Sequence, residues 1–136
     1  MDSIHKVDCF LVELPDKPGE LERVLLGLKE TRVNLLACGG LPAGERSARV
    51  YFVPENTESF RRAMANLGFS LGEPERAFLV QGGDRIGALA DVLGKLAGKE
   101  INIAEMNAVS AGAGRWGMML RVSAPDYERA ARAFGF

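Results

Sequence analysis

Apolar and polar positions alternate in a pattern that the chain carries twice. Leu21, Val24, Leu25 and Leu28 stand at i, i+3, i+4 and i+7, and Leu89, Val92, Leu93 and Leu96 repeat that spacing. Each stretch therefore predicts a helix with one apolar stripe. The landmarks around the stripes keep a constant offset of 68: Asp16 and Asp84 (84 − 16), Gly19 and Gly87 (87 − 19), Asn34 and Asn102 (102 − 34). A repeat that needs no gap between its landmarks predicts a duplicated fold.

Taken in order, His5 to Leu14 is mostly apolar, with Val7, Cys9, Phe10, Leu11 and Val12, which predicts a strand covered on both faces. Pro15 ends it, and Pro18-Gly19 is expected to start a helix that reaches about Thr31. Strands are predicted over Val33 to Cys38 and Ser47 to Val53, joined by a long hairpin through Gly39-Gly40 and Pro42 to Gly44. Thr57 is the expected N-cap of a second helix, whose stripe is Phe60, Ala63, Met64 and Leu67 and whose stop is Gly68. Phe69 to Leu71 offers a short fourth strand. The second unit reuses this order: strand Arg76 to Gln81, helix Ile86 to Ala97, strands Ile101 to Val109 and Trp116 to Val122, and a last helix capped by Asp126.

Gly135-Phe136 matches Gly68-Phe69 at an offset of 67 (136 − 69), so the second unit lacks most or all of its fourth strand. The fold class that follows is α+β: two βαββαβ units, residues 1–72 and 73–136, each a ferredoxin-like sandwich. Such a unit has an antiparallel sheet in the order 4-1-3-2, with both helices on one face. An open edge either stands solvated or is covered by the linker, the other repeat or another chain. Strands one and two are not neighbours in that order, so Cys9 and Cys38 are not expected to bridge. In the last strand Trp116, Met118, Leu120 and Val122 share one face, leaving Met119 on the less apolar side, against a repeat partner or dimer contact.

Composition narrows the function. With 136 residues the two units are small, about 65 to 70 residues each, and each is expected to lean on the other or on a second chain. The 17 basic and 18 acidic residues are interspersed, leaving no basic stripe for nucleic acid. Met1 to Lys6 has no apolar signal-peptide core and no apolar run reaches a membrane span of roughly 18 residues, so a cytoplasmic protein without a membrane partner is expected. Two cysteines and one histidine, His5, are too few for a disulfide framework, a metal site or nucleophilic catalysis built on His. No cofactor is expected. Each cysteine is expected to be a small apolar filler within a strand.

At these residues the chain resembles the ACT domain, the small module that binds amino acids in many enzymes of amino-acid metabolism. Repeat one carries D-K-P-G-E-L followed by V-N-L-L, and repeat two D-R-I-G-A-L followed by I-N-I-A. The resemblance covers nearly the whole chain and is closest to small stand-alone proteins made of two ACT units. It implies a ligand held between two units by the loop after strand one and the start of strand two, often from a neighbour. Carried over, the implied ligand-binding residues are Asp16, Lys17, Pro18, Gly19 and Asn34 in repeat one, and Asp84, Arg85, Ile86, Gly87 and Asn102 in repeat two. Two departures stand out: Leu14 and Gly82 occupy a position where some amino-acid-binding members carry a polar side chain, and Ile86 replaces the frequent Pro.

The chemistry suits a zwitterion, since a helix N-terminus offers N–H groups to a carboxylate and an Asp accepts from an ammonium group. Plainer roles compete. Asp16 and Asp84 are also helix-cap residues, Asn34 and Asn102 also fix turns, and Gly19 and Gly87 also serve a tight turn. Lys17 and Arg85 also suit a solvated face, and Trp116 suits core or interface better than a ligand lid. The leading expectation is a non-catalytic, homodimeric regulatory protein that binds a small amino acid or related metabolite. The alternative is a detached regulatory subunit that docks an enzyme of amino-acid metabolism. A third reading borrows from acylphosphatases, which share the sandwich and use a loop Arg with an Asn, here Arg85 with Asn102 or Asn107, but their glycine-rich loop is missing after Gln81.

Overall fold

The structure, a computed structural model, describes residues 2–136. Its elements are β1 (Ser3–Pro15), α1 (Glu20–Glu30), β2 (Leu35–Pro42), β3 (Ser47–Pro54), α2 (Thr57–Asn66), β4 (Glu75–Gly83), α3 (Ala88–Ala97), β5 (Ile103–Gly112), β6 (Arg115–Val122), a short 3-10 turn (Ala124–Asp126) and α4 (Tyr127–Ala133). They group into two compact units: Asp8–Glu75, and the chain up to Val7 together with Arg76–Phe136.

In the unit Asp8–Glu75 the strand order is β2-β3-β1, antiparallel, with Phe10 opposite Phe52 and Cys38 opposite Phe52 on the other side. No disulfide joins Cys9 to Cys38, because β3 lies between their strands. One sheet face feeds a core of Phe10, Val12, Leu14, Val50 and Phe52, closed by Val24 and Leu28 of α1 and by Phe60, Ala63 and Met64 of α2. The Phe60 ring lies 5.1 Å from that of Phe10 and 5.6 Å from that of Phe52. Predicted stripe positions Leu21, Leu25 and Leu67 pack at the margin of this core. Beyond Phe10, β1 alternates buried and exposed residues rather than being covered on both faces, because Leu11 and Glu13 face outward. Cys9 is buried, as a filler should be, but Cys38 is exposed.

In the other unit, α3 contributes Ala88, Val92 and Leu96 and α4 contributes Tyr127, Ala130 and Ala131 to a core built on Phe78, Val80, Trp116, Met118, Leu120 and Val122. The strand order is β1-β4-β6-β5, with the residues of β1 up to Val7 belonging to this unit and Ile4 packing on its core. That is the 4-1-3-2 order of the sandwich, except that the fourth strand comes from the start of the chain. No strand follows α4. The segment Phe69 to Leu71 is not a strand either; Phe69 and Leu71 instead turn their side chains onto the core of the unit Asp8–Glu75. Tyr51 and Val53 of β3, Leu79 of β4 and Met119 of β6 are buried although they belong to neither helix-facing core.

The duplication extends to the backbone. Arg32 and Glu100 both take the left-handed conformation (φ 58 and 55) just past their helices, and Val33 N–H and Ile101 N–H donate to Leu28 and Leu96 at 2.9 and 3.1 Å. These 6→1 bonds close both helices in the same Schellman geometry. At the N-termini the expectation needs correcting. Pro18-Gly19 and Ile86-Gly87 form turns before the helices, which begin at Glu20 and Ala88. The N-cap of α2 is Asn56, whose side chain accepts from Ser59 N–H at 2.9 Å, while the Thr57 hydroxyl donates to Asp8 at 3.0 Å. Asp126 precedes α4 without capping it; its carboxylate accepts from Arg129 at 2.9 Å and from the Ser123 hydroxyl at 3.2 Å.

Candidate ligand site

The two loops predicted to hold a ligand are built alike. Asp16 N–H donates to the Arg46 carbonyl at 2.9 Å, and Asp84 N–H donates to the Gly114 carbonyl at 2.8 Å, positions again 68 apart (114 − 46). Each loop is thereby pinned to the hairpin that follows its second strand. It then passes through Gly19 (φ 91) or Gly87 (φ 84), each the N-cap of its helix. Nothing lies within 4 Å of a Cβ built on either glycine, so the backbone conformation and not crowding demands glycine there. Gly19→Ala and Gly87→Ala should each lower stability by about 1–2 kcal/mol through left-handed strain alone, read as a fall in the urea midpoint at unchanged slope.

Neither helix receives a side-chain cap, so Asp16 and Asp84 are not helix caps. Asp16 makes no side-chain hydrogen bond or ion pair among the described residues, and Asp84 accepts one bond, from the Ser110 hydroxyl at 3.1 Å. The first turns of α1 and α3 are thus left without a side-chain acceptor.

Beside each loop lies a cavity of ≈ 290 Å³. One is lined by Asp16, Lys17 and Leu21, by Gly40, Leu41 and Pro42 at the end of β2, and by Ala48 at the start of β3. The other is lined by Asp84, Arg85 and Leu89, by Ala108, Val109 and Ser110 of β5, and by Trp116 of β6. These seven positions pair at the offset of 68, whereas Leu14, Pro15 and Val50 border only the first cavity and Ala88 only the second. Each cavity is made within one unit and has a carboxylate, a cation, a leucine floor and an aliphatic wall. Gly87 also borders its cavity, whereas Pro18 and Gly19 do not border theirs, and Ile86 is fully exposed.

The asparagines lie elsewhere. Asn34 precedes β2 by one residue while the cavity takes the last residues of that strand, a separation of about 20 Å along an extended chain. The Asn34 side chain donates to Glu55 at 3.3 Å and its carbonyl accepts from Glu55 N–H at 2.9 Å, so it fixes the entry to the strand. Asn102, at the same place in the second unit, is exposed and lines neither cavity. Within a unit, then, the loop and the asparagine are not brought together, and Arg85 is not paired with Asn102 or Asn107 as an acylphosphatase-like site would need.

The two cations differ. Lys17 is exposed and sits 3.9 Å from Glu20. Arg85 is gripped: its Nη1 and Nη2 donate to the two oxygens of Asp2 at 3.0 Å each, and Nη2 also donates to Asp91 at 3.0 Å. These bonds hold the Asp2 carboxyl below the usual carboxylate range, against the opposing effect of its burial, and push the Arg85 pKa further up. Sequence reasoning missed Asp2, Ser110 and the wall residues. The walls were recoverable by carrying the offset of 68 into the hairpin; Asp2 has no counterpart in the other repeat.

No family model and no curated sequence matches the chain. Its fold does match solved structures. The protein BT0572 from Bacteroides thetaiotaomicron superposes with a TM-score of 0.80 at 18% identity, covering 98% of this chain and 88% of that one. The ligand-free regulatory subunit of aspartate kinase from Thermus thermophilus gives 0.64 at 17% identity over 97% of this chain and 93% of that one, and the corresponding subunit from Thermus flavus gives 0.55 at 18% over 97% and 93%. At this identity the likeness shows the fold alone, the α+β arrangement that the sequence predicts. No helix among the described residues is long and apolar enough to cross a membrane.

Proposed function

We propose that the chain is a non-catalytic regulatory protein whose two loop cavities each take a small amino acid or related metabolite. The observation that carries this reading is a cavity in each unit with seven lining positions in common at the repeat offset. In each, the Asp16 or Asp84 carboxylate would accept from the ligand ammonium, the open first-turn N–H groups and Lys17 or Arg85 would receive its carboxylate, and the apolar wall would take the side chain. At ≈ 290 Å³ the cavities suit a compact guest. Pro18, Gly19, Ile86 and Gly87 shape the loops, and Asn34 and Asn102 would reach a ligand from a neighbouring unit, an arrangement that a homodimer supplies.

Isothermal titration and thermal shift against the twenty amino acids test this. A ligand at about a hundred times its dissociation constant should add roughly 2.7 kcal/mol of stability. Silence from all twenty, in heat and in melting temperature, would sink the reading. A second reading, docking onto an enzyme of amino-acid metabolism with vestigial cavities, draws on the fold shared with aspartate kinase regulatory subunits. It expects a stable enzyme partner in a pull-down carried out without any metabolite.

A further inference from the structure

The neighbourhood of Arg85 holds a donor that none of the described residues uses. Trp116 borders the second cavity and is 5% exposed, yet its indole N–H is buried without an acceptor among the described residues. A buried N–H left in that state is costly, and native structures keep few of them. What lies next to it is informative. A Cβ built on Gly82 would stand 3.0 Å from Trp116 Nε1 and would collide with Asp2 Oδ1, so the Asp2 carboxylate and the indole nitrogen converge on the same patch of β4 without bonding to each other.

We propose that Arg85 and Trp116 form a carboxylate-binding subsite whose resident occupant is the Asp2 side chain, and that a free carboxylate must displace Asp2 to bind there. Asp2 satisfies both terminal nitrogens of Arg85 but, tethered to its own backbone ahead of β1, leaves the indole donor unpaired. An untethered carboxylate accepts from the guanidinium and turns a remaining lone pair to the indole, a combination the latch does not achieve. The exchange is one carboxylate for another. Asp91 on Arg85 and Asp84 at the cavity mouth therefore oppose the guest no more than they oppose Asp2.

The first cavity has no such latch. Ala48 stands where the second has Trp116, and Lys17 is held only at 3.9 Å by Glu20. The two sites of the proposed function are thus unequal, the second carrying a competitor of its own. This inference builds on reading the Asp84–Arg85 cavity as a ligand site, but its test uses no amino acid.

Trp116 is the chain's one tryptophan, so its emission reports on this subsite alone. Sodium acetate is titrated into the full chain, Asp2→Ala and Asp2→Asn, with sodium chloride at matched ionic strength as reference. Removing the latch should lower the half-saturating acetate concentration about two- to fivefold, the range an exposed ion pair can supply. Arg85→Gln should abolish the response while keeping the melting profile of a folded protein. Equal half-saturation in the three Asp2 forms overturns the proposal, as does an acetate response no larger than that of chloride or one that survives in Arg85→Gln. Amino acids that bind while acetate behaves this way sink only the latch, whereas an acetate effect with no amino-acid heat sinks only the functional reading.

Discussion

Phe78→Ala is expected to lower stability by about 3–5 kcal/mol, the range for removing an aromatic side chain from a packed core. Phe78 is fully buried at the centre of the core built on β4 and β6, stacked on Tyr127 at 5.0 Å between centroids and met edge-on by Phe134 at 5.0 Å. Tyr127 and Phe134 lie on or beside α4, so the truncation removes the surface onto which that helix closes. Ordinary domains are stable by only about 5–15 kcal/mol, and a unit this small has little to spare. Urea unfolding followed by far-UV circular dichroism checks the result. A midpoint within about 1 kcal/mol of the parent would show that α4 is held by something other than this ring stack.

Deletion of residues 2–7 should cost about 3 kcal/mol or more. The sum has two parts: burial of most of an isoleucine side chain, about 1.5–3 kcal/mol for Ile4, and ladder hydrogen bonds at about 1 kcal/mol each where β1 lies beside β4. It also uncovers a strand edge, which should appear as new dye-binding apolar surface and as concentration-dependent aggregation. Asp2→Ala is the control, since it removes the exposed ion pair and keeps the strand, and should cost less than about 1 kcal/mol. Equal melting curves for the deletion and the parent would contradict the assignment of this segment as the fourth strand of its unit.

What the sequence made legible follows from how local each feature is. The offset of 68 located both loops, both stripes and both pairs of central strands, because duplicated local signals reinforce each other. Helix starts were misplaced by a residue or two. Pro-Gly reads as a helix opening, whereas Gly19 and Gly87 use left-handed backbone to turn into the helix after it, a stereochemical choice invisible in residue type. Asn56 and Thr57 are adjacent residues that both cap well, and the tie is broken from outside: Asp8, far away in sequence, takes the Thr57 hydroxyl.

The least legible features were the most distant pairings. Phe69 to Leu71 has the composition of a strand, but its apolar side chains gain more by lying on a core than by extending a ladder. The strand it was expected to supply has its counterpart in the other unit at Ser3 to Val7, which no periodicity could assign to residues after Arg76. Asp2 and Arg85 are 83 residues apart (85 − 2), and nothing in the repeat points from one to the other. At the candidate site the loops and cations were anticipated. Their walls and the latch were not, because the walls come from the hairpin and the strand ends beside it, which were read for their place in the fold and not for a ligand.

One unit of this protein is finished with a segment separated from the rest of it by the whole length of the other unit. The segment 3–7 is synthesised well before β4, the strand it lies beside, which begins at Glu75. At about 5–20 residues per second that stretch waits for roughly 3 to 14 seconds before β4 begins to follow it. Its make-up fits the delay: Ser3, His5, Lys6 and Asp8 alternate with or flank only Ile4 and Val7, so the waiting segment is too polar to seed association with neighbouring nascent chains.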